Sequence, residues 1–257
     1  MPLSDTLASM LLLVPKFKTC ITKQRIVVND EISSESSFDF SLLLKGEADC
    51  LLWIAQLLAD PNSSSVAITT SSSTSSTSSS STSSSTSSSH LLSKSFQKAG
   101  VYFKVAIGKY RALYDVSTDD ERDRWLESLP TDTTKIITAC KMSPSVLSAL
   151  NGVVGEASSL VARATCRRKE TERRKEELAK KMELNVDGLV DGSNDDDEGE
   201  NASYLDYLTA LKIFSHLGNN MECLSILDTM AHMKRVQEDW MTAGQMYVVL
   251  KMLFQLP

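Results

Sequence analysis

The chain has 257 residues, a hydrophobic content of 42% and a formal net charge of -6 at pH 7. That hydrophobic content is ordinary for a folded protein and excludes a chain that is disordered throughout. The negative charge argues against direct nucleic-acid binding by the whole chain, because such binding depends on Lys and Arg neutralising phosphates.

Residues 1–62 predict a small helical unit. The apolar run from Met10 to Val14 is too short for the core of a signal peptide. The strongest helical pattern of this unit runs from Glu47 to Ala59, where apolar residues recur every three or four positions. The residues on that face are Leu51, Ile54, Leu57 and Leu58. No stretch of the chain approaches the ~20 apolar residues of a membrane span, so we expect no membrane partner.

A tract rich in serine and threonine occupies residues 63–90. Residues 69–89 contain only these two amino acids, so they offer no apolar surface to offset the entropy lost when a chain becomes ordered. We expect the tract to be disordered and to act as a spacer. A platform for phosphorylation is the alternative.

Residues 91–184 predict a helical region. Apolar residues recur at helical spacing from Phe96 to Tyr114, although the segment from Val101 to Ile107 also alternates as a strand would. We predict a helix over residues 91–116, because the helical stripe is the longer of the two patterns.

Further helix starts follow in the same region. Thr118 and Glu121 have the spacing of a capping box, which predicts a short helix. Ser143 followed by Pro144 is typical of a helix cap and first position. We place another helix start after Asn151-Gly152. Gly152 and Gly155 fit that start better than a dinucleotide-binding fingerprint, which needs a third glycine and a preceding strand.

The region ends in a highly charged stretch from Cys166 to Leu184. Acidic and basic residues alternate there at favourable spacings of four positions, which is typical of a solvated or coiled-coil helix. Its basic clusters resemble a bipartite nuclear-import signal, so we expect the nucleus, with the cytoplasm as the alternative. The candidate import residues are Arg167, Arg168, Lys169, Arg173, Arg174, Lys175, Lys180 and Lys181.

Residues 185–201 predict an acidic linker, and residues 202–257 predict three amphipathic helices with short connections. In this segment, Thr242 and Gln245 have the spacing of a capping box for the last helix. These helices indicate a small helical bundle or a helix-turn-helix repeat. The expected fold is therefore mostly α, with short-helix bundles separated by disordered Ser/Thr-rich and acidic linkers.

Residues that carry chemistry are few and scattered. The five cysteines never form a CxxC pair, and the three histidines are scattered, because His90 borders the Ser/Thr tract and His216 and His232 lie on different predicted helices. We therefore expect no catalytic residue, no cofactor and no metal site, and an enzyme ranks last among the functional classes.

The C-terminal segment resembles the helical bundle of the transcription elongation factor TFIIS N-terminal domain, and the integrase-binding type of that bundle. The residues that carry the resemblance are Tyr204, Leu205, Leu208, the run from Cys223 to Met233, and the run from Thr242 to Leu253, with Gly244, Leu250 and Lys251. Domains of this family have no catalytic activity. They bind short, disordered, acidic and hydrophobic motifs of other transcription proteins through loops at one end of the bundle.

The resemblance implies partner-binding residues at one end of the segment. They are Asn219, Asn220, Lys251, Phe254 and Leu256. Lys234 and Arg235 are further candidates for contacts with acidic groups of the partner. We thus expect a non-enzymatic, nuclear protein-interaction module in transcription or chromatin-associated assembly. The alternative is a scaffold of helical repeats of the tetratricopeptide or pentatricopeptide type.

Overall fold

A computed structural model describes residues 9–21, 34–60, 84–129, 143–184 and 195–254. These residues form eight helices and, within the described ranges, no strand. The helices are α1 (residues 9–21), α2 (Ser34–Ala59), α3 (Ser84–Ala112), α4 (Asp119–Ser128), α5 (Pro144–Leu184), α6 (Asp195–His216), α7 (Asn220–Val236) and α8 (Trp240–Phe254). The mostly helical fold predicted from the sequence is confirmed.

The chain folds into two compact units, and each unit is built from two separate stretches of sequence. The first unit combines Met1–Lys109 with Cys166–Asp191, and the second combines Tyr110–Thr165 with Gly192–Pro257. The structure thus groups the chain differently from the five consecutive segments expected above. The C-terminal helices share their unit with α4 and with the first half of α5.

In the first unit, α2 and α3 bury the apolar faces that the sequence indicates. Leu51 and Ile54 of α2 are buried, as predicted. In α3 every residue of the helical stripe from Phe96 to Ile107 is buried, whereas Val101 and Val105 are exposed. The strand alternative for this segment is therefore wrong.

An ionic contact also joins α2 to α3. Glu47 of α2 is fully buried, and the Nζ atom of Lys109 in α3 lies 2.8 Å from its Oε2 atom. Since a buried carboxylate is costly without a positive neighbour, this contact compensates the charge of Glu47.

In the second unit, the predicted capping box at the start of α4 is confirmed. The Thr118 hydroxyl accepts from the backbone N–H of Glu121, and the Glu121 carboxylate accepts from the backbone N–H of Thr118 at 3.1 Å. The same carboxylate accepts from the backbone N–H of Ser117 at 2.8 Å, and this hydrogen bond, followed by the one from the Thr118 N–H, lowers the pKa of Glu121.

The helix α5 begins at Pro144, as predicted, but the helix start expected after Asn151-Gly152 is wrong. The helix continues through both residues to Leu184. Gly152 has a packing role instead, because a Cβ atom there would lie 2.7 Å from the carbonyl oxygen of Tyr110. Gly155 likewise lies against the Tyr110 ring.

Two helices begin inside segments expected to be linkers. The helix α3 begins at Ser84, within the Ser/Thr tract 63–90, and α6 begins at Asp195, within the acidic linker 185–201. Helices propagate cooperatively beyond the apolar stripe that anchors them, and an acidic composition is favourable at a helix N-terminus. The remainder of both predicted linkers lies mostly outside the described residues.

Among the described helices, α5 alone has a stretch long and apolar enough to cross a membrane by length and composition. One third (33%) of that stretch is buried inside the protein. This is weak evidence for a membrane, because the core helix of a soluble protein passes the same test.

Candidate interaction surface

Two turns of the same geometry join α6 to α7 and α7 to α8. In the first turn, the backbone N–H of Asn219 donates to the carbonyl of Phe214 at 2.9 Å. In the second turn, twenty residues later, the N–H of Asp239 donates to the carbonyl of Lys234 at 2.9 Å. The residue before this closing hydrogen bond has the same left-handed backbone in both turns. Gly218 has a φ of 68°, and the equivalent Glu238 has a φ of 61°.

In each turn, the residue that follows the left-handed residue caps the next helix. The Oδ1 atom of Asn219 accepts from the backbone N–H of Glu222 at 3.3 Å, and Oδ1 of Asp239 accepts from the N–H of Thr242 at 3.2 Å. Hydrogen bonds from Thr242 lower the pKa of Asp239. The predicted cap at Thr242 is therefore wrong, because the helix begins earlier, at Trp240, and Asp239 supplies the capping oxygen.

The first turn and the end of α8 lie at the same end of the α7–α8 pair. Leu224 and Leu227, near the start of α7, form one buried cluster with Leu250, near the end of α8. Leu211 of α6 packs against this cluster. The packing of these leucines across the two helices shows that α7 and α8 run antiparallel.

We call this end of the second unit the hairpin end; it comprises Asn219, Asn220, Met221, Lys251 and Met252. Both asparagines and the lysine are exposed there, so the structure brings these three predicted partner-binding residues to one end of the hairpin. Met221 is 75% exposed and Met252 is 64% exposed. These two large apolar side chains are therefore open to solvent at this end of the hairpin.

The side chains of the two other predicted partner-binding residues lie outside the described part of the structure. Phe254 is the last residue of α8, and its side chain is outside the described part of the structure, as is the whole of Leu256. Lys234 and Arg235 lie in the last turn of α7, at the opposite end of the hairpin from Asn219. Lys234 instead lies over the ring of Tyr204, 4.8 Å from its centroid.

Sequence reasoning missed Met221 and Met252. They fall outside the buried stripes of α7 and α8, and that departure from helical spacing is the signal that could have identified them.

The rest of α8 also has an unusual surface: its other exposed large apolar residues are Trp240, Met241, Tyr247, Val248 and Val249. Lys251 is the one charged residue of the helix.

The candidate import residues lie along the regular helix α5, where several are paired. Arg168 lies 3.4 Å from Glu172, and ion pairs one helical turn apart also join Arg173 to Glu177 and Arg174 to Glu170. All three pairs have the four-residue spacing that the sequence indicates. The side chain of Arg174 is 43% exposed, whereas those of Arg168 and Arg173 are only 25% and 18% exposed, so the basic residues of the stretch differ in their access to a partner.

A buried ionic network crosses the second unit at Glu156 of α5. This carboxylate is fully buried and accepts from Arg111 Nε at 2.9 Å and from Arg122 Nη1 at 3.2 Å. The Tyr114 hydroxyl donates to its other oxygen. Two guanidinium groups and a hydroxyl therefore compensate one buried charge, as a buried carboxylate requires.

The network fixes side chains in place and raises the pKa of Tyr114. Burial is the main cause of this shift, and the neighbouring negative charge of Glu156 is the second. Because Glu156 is inaccessible and occupied by three donor groups, the network is suited to joining α3, α4 and α5 rather than to binding a ligand. It was not predicted from the sequence.

No group of three or more His, Cys, Asp or Glu side chains that could hold a metal ion occurs among the described residues. No protein-family model, curated protein or solved structure matches the chain. The hairpin end and the surface of α8 therefore carry the functional proposal.

Proposed function

We propose that the chain is a non-enzymatic protein-interaction module of the nucleus, acting in transcription or chromatin-associated assembly. Its partners are other proteins, which it binds through short motifs that combine apolar and acidic residues. The observation that carries the proposal is the hairpin end, where Met221 and Met252 are largely exposed at one end of an antiparallel helix pair.

The chemistry of this surface supports a motif of that kind. Methionine side chains are flexible and polarisable, so they adapt to apolar groups of different shapes. Lys251 supplies a positive charge in the last turn of α8, where it can meet an acidic residue of the motif. Asn219 is committed to capping α7, whereas exposed Asn220 offers amide hydrogen-bonding groups to a partner backbone.

The nuclear part of the proposal is supported by the basic stretch of α5. Its ion pairs are partly exposed and lie on the surface of the helix, so an import receptor can compete for the arginines. The candidate import residues of the first unit are separate in sequence from the hairpin end, so location and binding can be tested independently.

The experiment compares proteins retained from a nuclear extract by the immobilised chain and by its Met221→Ser, Met252→Ser double variant. Both methionines are exposed, so the variant should keep its helices, which circular dichroism checks. Trp53→Ser, at a 55% exposed position of α2, is the matched control for losing an exposed apolar group. We expect the double variant alone to lose a defined set of partners.

Peptide arrays made from those partners then define the motif that is bound. Peptides in which acidic residues flank apolar ones should bind the natural chain, and Lys251→Ala should weaken that binding. Retention of the same partners by the double variant would remove the hairpin end as the docking site.

A helical-repeat scaffold is a second candidate, favoured by the two matching turns. Because the two turns are twenty residues apart and have the same geometry, α6, α7 and α8 resemble successive copies of one helix-turn unit. A scaffold would bind its partner along helix faces. Substitutions along α8, rather than those at the hairpin end, would then abolish binding.

A further inference from the structure

The matching turns identify a face of α8 that is open. Leu224 and Leu227 of α7 are buried where α8 packs against them through Leu250. The residues twenty positions later, Gly244 and Tyr247, occupy the equivalent positions of α8, and both are exposed. The face that α7 uses to bind the next helix therefore has a counterpart on α8 that is open at Gly244 and partly open at Tyr247, which is 39% exposed.

This open face has the spacing of a helix-pairing stripe. Trp240, Gly244, Tyr247 and Lys251 follow one another at intervals of four, three and four residues, so they lie on one side of the helix. A Cβ atom at Gly244 would have no atom within 4 Å. The glycine thus leaves a hollow between two aromatic side chains, into which a large residue of another helix can fit.

The stripe is complementary to itself when two copies of α8 run antiparallel. Gly244 then lies opposite Tyr247 of the second copy, so that each ring enters a hollow. Lys251 approaches the start of the second α8, where the preceding turn carries exposed Glu238. It also approaches Trp240 of that helix, whose ring face attracts a cation. Both contacts occur twice because the pairing is symmetric.

We propose that two copies of this chain form a homodimer through antiparallel pairing of α8 along Trp240, Gly244, Tyr247 and Lys251. This inference goes beyond the proposed function, which concerns other proteins; the dimer surface shares Lys251 with the hairpin end but not Met221 or Met252. Two helices of 15 residues span only about 22 Å and bury less than the ~1,600 Å² of a standard interface. The dimer should therefore dissociate on dilution in the micromolar range.

Analytical ultracentrifugation of the full chain from ~1 μM to ~200 μM tests the proposal, a range chosen around micromolar affinity. We expect a shift from monomer to dimer. Lys251→Glu should weaken the dimer about tenfold or more. At each end of the helix pair it places the new carboxylate of one copy beside Glu238 of the other, and the like charges repel. Adding Glu238→Lys to that variant should restore dimerisation to within about threefold, since the charges of both pairs are exchanged. Lys104→Glu, at an exposed lysine of α3, has the same charge change and should have no effect.

A second variant keeps the test independent of the charged pairs. Gly244→Glu should preserve the helix, because its side chain meets open space in the monomer and glutamate is a better helix former than glycine. It should abolish the dimer, because the carboxylate would be buried against Tyr247 of the second copy.

A monomer at every concentration would overturn the proposal. So would a dimer that persists in Gly244→Glu, or a Lys251→Glu defect that Glu238→Lys does not repair. Met221→Ser with Met252→Ser should leave the dimer intact, so failure of this inference is separable from failure of the proposed function.

Discussion

Glu156→Gln is expected to destabilise the second unit strongly, whereas Asp119→Asn is expected to have little effect. Both carboxylates contact the same two guanidinium groups, those of Arg111 and Arg122. Their surroundings differ, because the side chain of Glu156 is fully buried and that of Asp119 is 65% exposed. The comparison therefore isolates the effect of burial on one set of ionic partners.

The magnitude follows from the donors that the buried carboxylate satisfies. Glu156 accepts from Arg111 Nη2 at 2.7 Å as well as from Arg111 Nε, Arg122 and Tyr114. A glutamine has the same shape but presents an N–H₂ group to some of these donors and leaves the positive charges uncompensated. Breaking a buried ion pair in this way costs about 3–5 kcal/mol. The exposed contacts of Asp119 should contribute at most about 1 kcal/mol.

Urea unfolding followed by circular dichroism measures both changes in the free energy of unfolding. Since the chain has two units, the transition assigned to the second unit should move in Glu156→Gln while the other transition stays in place. Equal effects of the two substitutions, or a loss below about 1 kcal/mol for Glu156→Gln, would refute the buried network.

Four other outcomes are expected. Leu227→Ala should lower the free energy of unfolding by about 2–5 kcal/mol, because Leu227 is buried in the leucine cluster; a loss measured by urea unfolding below that range would contradict the packing. A thiol reagent should label exposed Cys20 well before Cys166 in the native protein, because burial raises the pKa of Cys166 to about 12; equal labelling rates would exclude this arrangement. Since the pKa of Tyr114 is raised by folding, stability should fall as the pH rises above ~10, where the unfolded tyrosine loses its proton first. Tyr114→Phe should flatten that fall in urea unfolding across this pH range, and an unchanged slope would count against the shift. A fluorescent fusion should move toward the cytoplasm when four import residues become alanine, and an unchanged distribution would leave α5 as a plain charged helix. These residues are Arg167, Arg168, Lys180 and Lys181.

The features that could be predicted from the sequence depend on neighbouring residues. Helical spacing identified the buried face of α3, and the Thr118–Glu121 pair identified the start of α4. The leucines at the core of the α7–α8 pair follow from their intervals of three and four residues. In each case the pattern that identifies the feature lies within a few turns of one helix, so the spacing alone contains the information.

The features that could not be predicted depend on contacts between distant parts of the chain. Gly152 lies in mid-helix because Tyr110, more than forty residues earlier, packs against it. The partners of Glu156 are 34 and 45 residues away in sequence. In the candidate site, Lys251 and Asn220 could be named from a resemblance, but the exposure of Met221 depends on which side of α7 the other helices cover. The spacing of apolar residues within one helix does not show which distant residues that helix contacts.

Photo-crosslinking inside cells tests most directly whether the hairpin end binds other proteins. A photoreactive amino acid is placed at Met252 in one variant and at Trp53, an exposed position of α2, in another. The account predicts crosslinks to nuclear proteins from position 252 and none of the same proteins from position 53. Identical crosslinked proteins at both positions, or none at position 252, would contradict it.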